Sequence, residues 1–218
     1  MTMGNNLRVS LFSLENDDLG RFNSEEATRL FQQLLWAEAR RLNIPISKVH
    51  ITTRINVPDG GIDASVEDPG FIHHDDLIKV GLTSYQIKAS ASQLIHQDSQ
   101  VRKELFNDKE NNRENLGAVV LNCLESDGTY VYMNFAWSPN EKERQEAVNH
   151  FRNYFASCGF PNAKVEVWGQ TEIVGFINCF PSLSLSILDR GGGRFLTHDE
   201  WSRQAEMRRP FATGDNTR

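Results

Sequence analysis

The sequence predicts an α/β domain in which a mixed central β-sheet is flanked by helices. Three observations carry that prediction. Short apolar or alternating segments recur between stretches whose apolar residues are spaced by three and four. Clusters of Pro, Gly and Asn separate the two kinds of segment. The composition, 39% hydrophobic with 13 Phe and 4 Trp in 218 residues, supplies apolar surface for one sizeable core.

Residues 1 to 22 show no sustained period and read as an N-terminal extension, within which Leu7 to Leu11 alternates as a short edge strand. The domain proper runs over 23–188. Its first helix starts at Asn23 or Ser24, where a side-chain oxygen precedes acidic Glu25 and Glu26, both suited to the positive end of a helix dipole. Ala27, Leu30, Phe31, Leu34, Leu35 and Leu42 form one apolar stripe up to the Asn43 to Pro45 break. Val49 to Ile55 and Gly61 to Val66 read as a strand pair joined through Pro58-Asp59-Gly60. After a polar loop come a strand over Leu82 to Ala89 and a helix over Ser90 to Phe106. Gly117 to Cys123 is a nearly continuous apolar run, expected as a strand covered on both faces, with Thr129 to Ala136 as its neighbour. Ser138-Pro139 opens a helix to about Ser157. Lys164 to Trp168 reads as a strand, Thr171 to Cys179 as a helix and Leu183 to Leu188 as a last short strand. The Gly191 to Gly193 run and the Arg-rich stretch after it, 189–218, read as a linker or the start of a following region.

A net charge of -6, from 23 Lys and Arg against 29 Asp and Glu, gives no global field that would draw in a polyanion. It does not exclude nucleic-acid chemistry, because metal-binding carboxylates are acidic by necessity and phosphates can be met by a local patch. Cys123, Cys158 and Cys179 form no CxxC pair and read as reduced core thiols. The apolar runs fall short of the roughly 20 residues that span a bilayer, so no membrane segment is expected and the compartment is read as the cytoplasm.

The chemistry is concentrated in Gly60-Gly61-Ile62-Asp63 and Tyr85-Gln86-Ile87-Lys88. Phosphodiester hydrolysis needs a hard cation that polarises phosphate and activates water, and Mg²⁺ favours one or two carboxylates plus water and phosphate oxygens. Asp63 supplies a carboxylate. Gln86 and Lys88, two apart on a strand, project from one face, so that the Gln86 amide oxygen can meet a metal while the Lys88 ammonium reaches nucleophile or phosphate. Gly61, without a side chain, permits close approach of a phosphate.

At these residues the chain resembles the Mrr-like branch of the PD-(D/E)xK, restriction-endonuclease-like nucleases, whose GxD strand is followed by a strand ending in (E/Q)xK. Here these read Gly61-Ile62-Asp63 and Gln86-Ile87-Lys88. The resemblance implies a divalent cation, Mg²⁺ or Mn²⁺, and cleavage of double-stranded DNA. It also implies a catalytic set of Asp63, Gln86 and Lys88, with Asp63 and Gln86 on the metal. The chain is similar, too, to the N-terminal nuclease module of antiviral STAND ATPases. That similarity implies a defence effector followed by a C-terminal ATPase and sensor region. Family members carry a Glu on the first helix that assists with metal. Of Gln32 and Glu38, Glu38 falls in the middle of the apolar stripe and is the candidate. Pairing with a nearby Arg or Lys is the competing reading of Glu38.

Other features have plainer readings. Asp59 is a turn former, and His73-His74-Asp75-Asp76 is a solvated loop without the ligand spacing of a zinc site. Ser90 and Ser92 are expected to cap the following helix and to be within reach of phosphate. Arg102, Lys103 and Lys109 make either a DNA-facing patch or a solvated helix face. Trp36 and Trp168 are expected in the core. Three functions follow: a metal-dependent DNA endonuclease, a catalytically silent binding or assembly module on the same fold, and an RNA-cleaving variant. Two-strand DNA cleavage would call for a homo-oligomer.

Overall fold

The computed structural model describes residues 13–52, 62–68, 77–92, 95–106 and 109–188. The architecture is α/β: one five-stranded mixed sheet with helices on both faces. The strands β1 (Val49–Ile51), β2 (Ala64–Asp68), β3 (Gly81–Lys88), β4 (Thr129–Asn134) and β5 (Lys164–Trp168) lie in chain order across the sheet. The pairs β1/β2 and β2/β3 are antiparallel, whereas β3/β4 and β4/β5 are parallel. The parallel half follows from helical crossovers that return the chain to the same end of the sheet.

One face packs against α1 (Asn16–Leu19), α2 (Ser24–Arg41), α6 (Gln170–Asn178) and α7 (Pro181–Leu188). Ala64, Val66, Tyr85, Ile87, Val131 and Met133 point into that layer. The other face, carrying Tyr130, Tyr132, Val165 and Val167, is covered by α3 (Asp98–Phe106), α4 (Ala118–Glu125) and α5 (Glu141–Ser157). All six residues of β4 are buried because this strand is central and covered on both sides.

The α2 helix forms where its stripe predicts. The Asn23 side chain accepts from the Glu26 N–H and the Glu26 carboxylate accepts from the Asn23 N–H, closing a capping box. The buried positions Ala27, Leu30, Phe31, Leu34 and Leu35 lie on one side, with Phe31 against the Tyr85 ring at 5.0 Å between centroids.

Several expectations are corrected. Gly117 to Cys123 is no strand: it enters α4, whose buried Val120, Cys123 and Leu124 have helical spacing. A short apolar run is compatible with either state, and the exposed Asn122 between buried neighbours is the local sign of the helix. Leu183 to Leu188 lies in α7 although Ser and Leu alternate there. Pro181 at the first helical position and burial of Ser184 and Ile187 three apart decide for the helix. The helix expected from Ser90 begins only at Asp98, because Ser90 and Ser92 bond to each other and the chain then inserts Ile95 into the core before the first helical turn. Ser90 and Ser92 therefore do not cap it. The chain's N-terminal boundary also shifts: Leu14, Leu19 and Phe22 are buried in the same core as α2, so domain packing reaches into the stretch read as an extension. Trp36 is exposed on α2, whereas Trp168 is core. Cys179 is exposed, while Cys123 and Cys158 are buried thiols. The Leu7 to Leu11 strand, the Pro58 to Gly61 turn, the His73 to Asp76 loop and the 189–218 linker lie outside the described residues. Among the described residues, no single helix is long and apolar enough to cross a membrane.

Gly128 joins α4 to β4 and fixes their spacing. A Cβ there would lie 2.8 Å from the Leu82 carbonyl oxygen and 2.9 Å from that of Cys123. Gly128→Ala is expected to destabilise the fold by about 1–3 kcal/mol, read as a lower urea midpoint at unchanged m-value.

Candidate active site

Asp63 sits at a bend immediately before β2 and is held at three atoms. Its N–H donates to the Tyr85 carbonyl at 2.9 Å, its carbonyl accepts from the Thr52 N–H at 2.8 Å, and carboxylate Oδ2 accepts from the Ile87 N–H at 2.6 Å. The side chain thus replaces a backbone partner on β3 between Gln86 and Lys88. A carboxylate bonded to a backbone N–H of the strand bearing its partners cannot drift far from them.

Gln86 and Lys88 lie on the same face of β3 by the two-residue period, in register with Tyr132 and Asn134 of β4. Gln86 is buried, whereas the Lys88 side chain keeps 26% of its surface. At the C-terminal end of β3 the Asp63 carboxylate is therefore tied to the backbone between Gln86 and Lys88. Gln86 Oε1 accepts from the Tyr130 hydroxyl, and Gln86 Nε2 donates to Glu104 Oε1. The same Glu104 oxygen is paired with Lys88 Nζ.

Glu104 is the member that the sequence did not single out. It stands on α3, 18 residues beyond Gln86, with its side chain 15% exposed. The α3 helix is fixed over the sheet by Val101, Leu105 and Phe106. At its start Asp98 accepts from the Tyr154 hydroxyl at 2.7 Å and meets His150 at 3.3 Å, both on α5. An acidic residue three positions after Val101, on a helix whose other buried residues are apolar, was the available signal. It was hidden by the misplaced start of that helix.

The phenols that neighbour these carboxylates register them. Burial first, and then the charges of Glu104 and Asp63 among others, hold the Tyr130 proton well above the ordinary tyrosine range. Burial and Glu104 do the same for Tyr132. The Tyr132 hydroxyl is fully enclosed and has no hydrogen-bond partner among the described residues. Asn134, also enclosed, ties the strand end to the following loop by donating to the Ser90 carbonyl at 2.9 Å and accepting from the Ala136 N–H at 2.9 Å.

Glu38 lies elsewhere. It is buried on the opposite face of the sheet, where its charge reaches the Tyr85 hydroxyl, and both its oxygens accept from Arg41, at 2.7 and 2.6 Å. With Leu77, Phe176 and Phe180 the pair borders a groove of about 610 Å³. The arginine-partner reading of Glu38 is the one that its contacts satisfy, and its reading as a metal ligand beside Asp63 is corrected. Ser90 and Ser92 stand just beyond Lys88, linked by a 2.8 Å hydroxyl contact. Arg102 donates to Asn111 Oδ1 at 2.9 Å and to the Lys109 carbonyl at 3.4 Å, so this member of the basic trio holds its own loop. Gly61 lies outside the described residues.

Two measurements follow. Glu38→Ala removes the carboxylate that accepts two bonds from the half-exposed Arg41 and is expected to cost about 1–2 kcal/mol of stability, less than a fully buried pair, with no change in divalent-cation affinity by calorimetry. The raised Tyr130 proton affinity favours the folded state below about pH 10, and that contribution is lost as pH rises above it. Urea midpoints between pH 8 and 11 should therefore fall less steeply in Tyr130→Phe, by up to about 1.4 kcal/mol per pH unit.

Comparison of the chain with protein-family models, with curated proteins and with solved structures finds no match.

Proposed function

We propose that this protein is a divalent-metal-dependent DNA endonuclease of the restriction-endonuclease-like PD-(D/E)xK class, acting through Asp63, Gln86 and Lys88. The observation that carries the reading is the Asp63 Oδ2 bond to the Ile87 N–H, which brings the carboxylate beside two side chains from one face of β3. The donor set fits the cation that the reading requires. Asp63 offers a hard carboxylate oxygen, and the Gln86 amide oxygen, which accepts from Tyr130, would join it only by turning from that bond. A cation held there keeps water and phosphate oxygens in most of its shell, the mode that Mg²⁺ prefers and Mn²⁺ tolerates. When bound, it would polarise the phosphate and lower the pKa of an attacking water.

The chain's own groups account for the rest. Asp63 is oriented by its strand bond. Gln86 is set by Tyr130 and Glu104. Lys88, partly exposed, is the cation available to the scissile phosphate or its nucleophile. A defence role ahead of a C-terminal ATPase and sensor region, and pairing of two copies for double-strand cuts, extend this reading through the family resemblance alone.

A second reading is favoured by one observation. Gln86, Glu104 and Lys88 satisfy one another, with the Gln86 carbonyl turned to Tyr130, as a silent module would have them. Plasmid cleavage with Mg²⁺, Mn²⁺ or chelator separates the two. The nuclease reading expects metal-dependent nicking of duplex DNA that falls on the order of 10²-fold or more in Asp63→Ala and Lys88→Ala. Folded wild-type protein that leaves plasmid intact with either metal, or variants that cut as well as wild type, would defeat it. Preference for a substrate bearing 2′-hydroxyls would redirect it to RNA.

A further inference from the structure

We propose that the outward face of α2 is a self-complementary surface through which two copies of this chain pair as antiparallel helices about a two-fold axis. The inference stands apart from the chemistry at Asp63 and goes beyond the nuclease reading, for which it names the surface that joins two copies.

The side of α2 turned away from the sheet carries Glu25, Arg29, Gln33, Trp36 and Arg40, all exposed. At 3.6 residues per turn these five occupy about 80° of arc, opposite the buried stripe of Ala27, Leu30, Phe31, Leu34 and Leu35. Trp36 keeps 38% of its surface in solvent, a large aromatic group where an amphipathic helix calls for a polar one. A single exposed apolar side chain is ordinary on a protein surface. This one stands between two arginines of the same stripe, and Trp and Arg are the residues that carry most binding energy at protein interfaces.

The order of the residues selects the partner. Turned end for end about a point between Gln32 and Gln33, the stripe meets itself with each pair complementary. Glu25 comes level with the partner's Arg40, and Arg29 with the partner's Trp36, and the two-fold axis repeats both contacts. The first sets opposite charges together, and the second lays a guanidinium on an indole face. Gln32 and Gln33 meet their own copies at the axis without adding charge. A parallel arrangement has no such match, because it brings Glu25 to Glu25 and Arg40 to Arg40. Within one copy Arg29 is paired with Glu25 through Oε1, yet the two side chains keep 69% and 53% of their surface, so both have area left for a further contact. With 18 residues α2 is about 27 Å long, and one such helix face is smaller than the roughly 800 Å² per partner of a standard interface. Association is therefore weak, with a dissociation constant on the order of 10–100 µM.

Sedimentation velocity of the whole chain, from low micromolar to several hundred micromolar, tests this. The wild type should pass from monomer to dimer over that range, and Trp36→Ala should weaken dimerisation by about tenfold or more. Glu25→Arg and Arg40→Glu, each alone, set like charges together at both ends of the contact and should stay monomeric. Mixed in equal amounts, these two variants restore opposite charges across the axis and should form the mixed dimer, a result that damage to α2 in either variant would not produce. Circular dichroism checks that each variant folds. Should Glu25→Arg disturb the start of the helix, Glu25→Gln takes its place and should weaken the wild-type dimer severalfold. A wild type that stays monomeric throughout, a dimer unchanged in Trp36→Ala, or a mixture no more associated than its two components would overturn the proposal. None of these outcomes bears on metal-dependent cleavage, which the Asp63 and Lys88 variants test separately.

Discussion

A lysine and a glutamate meet beneath a helical layer, each keeping part of its side chain in solvent, and the polar contacts of the sheet end gather around that meeting. Lys88 comes from the last position of β3 and Glu104 from the last turn of α3. Their contact therefore fixes how the helix lies on the sheet. Breaking such a pair by removing one partner costs far more than the pair contributes over an apolar substitute, so it specifies position more than it adds stability. The surroundings comply: Asp98, Tyr154 and His150 pin the start of α3, and Gln86 and Tyr130 extend the polar contacts inward.

The two halves of the sheet divide the work. The antiparallel half delivers Asp63 through a short connection, and the parallel half delivers α3 through a crossover. Because β4 is enclosed on both faces, it serves as a rigid floor whose tyrosines set the dielectric of the site. The opposite face is a separate apolar layer, in which Tyr85 joins Phe31 and Trp168 and its hydroxyl donates to the Leu77 carbonyl. The Glu38 and Arg41 pair belongs to that layer: the helical wheel put Glu38 in the buried stripe, where it is, and only the family resemblance linked it to Asp63.

The sequence made legible what depends on local period. The α2 stripe, the β1/β2 pair, the projection of Gln86 and Lys88 from one face and the strands β4 and β5 follow from spacing and turn residues. It was ambiguous where period and composition conflict. The run at Val119 and Val120 is apolar enough for either state, and the Ser-Leu alternation before Ile187 mimics a strand until α6 provides a face for a helix. Glu104 was only partly legible: its place on α3 among Val101, Leu105 and Phe106 was a signal, but its partner Gln86 lies 18 residues away and no spacing rule names it.

The amide at position 86 is the feature with the widest consequence. Gln86 presents nitrogen to Glu104 and oxygen to Tyr130, so strand and helix read as donor and acceptor. A carboxylate at both positions would set like charges in contact, and an amide at both would strip Lys88 of its counter-ion. Strand and helix therefore share a single acid between them, and the identity of either residue constrains the other.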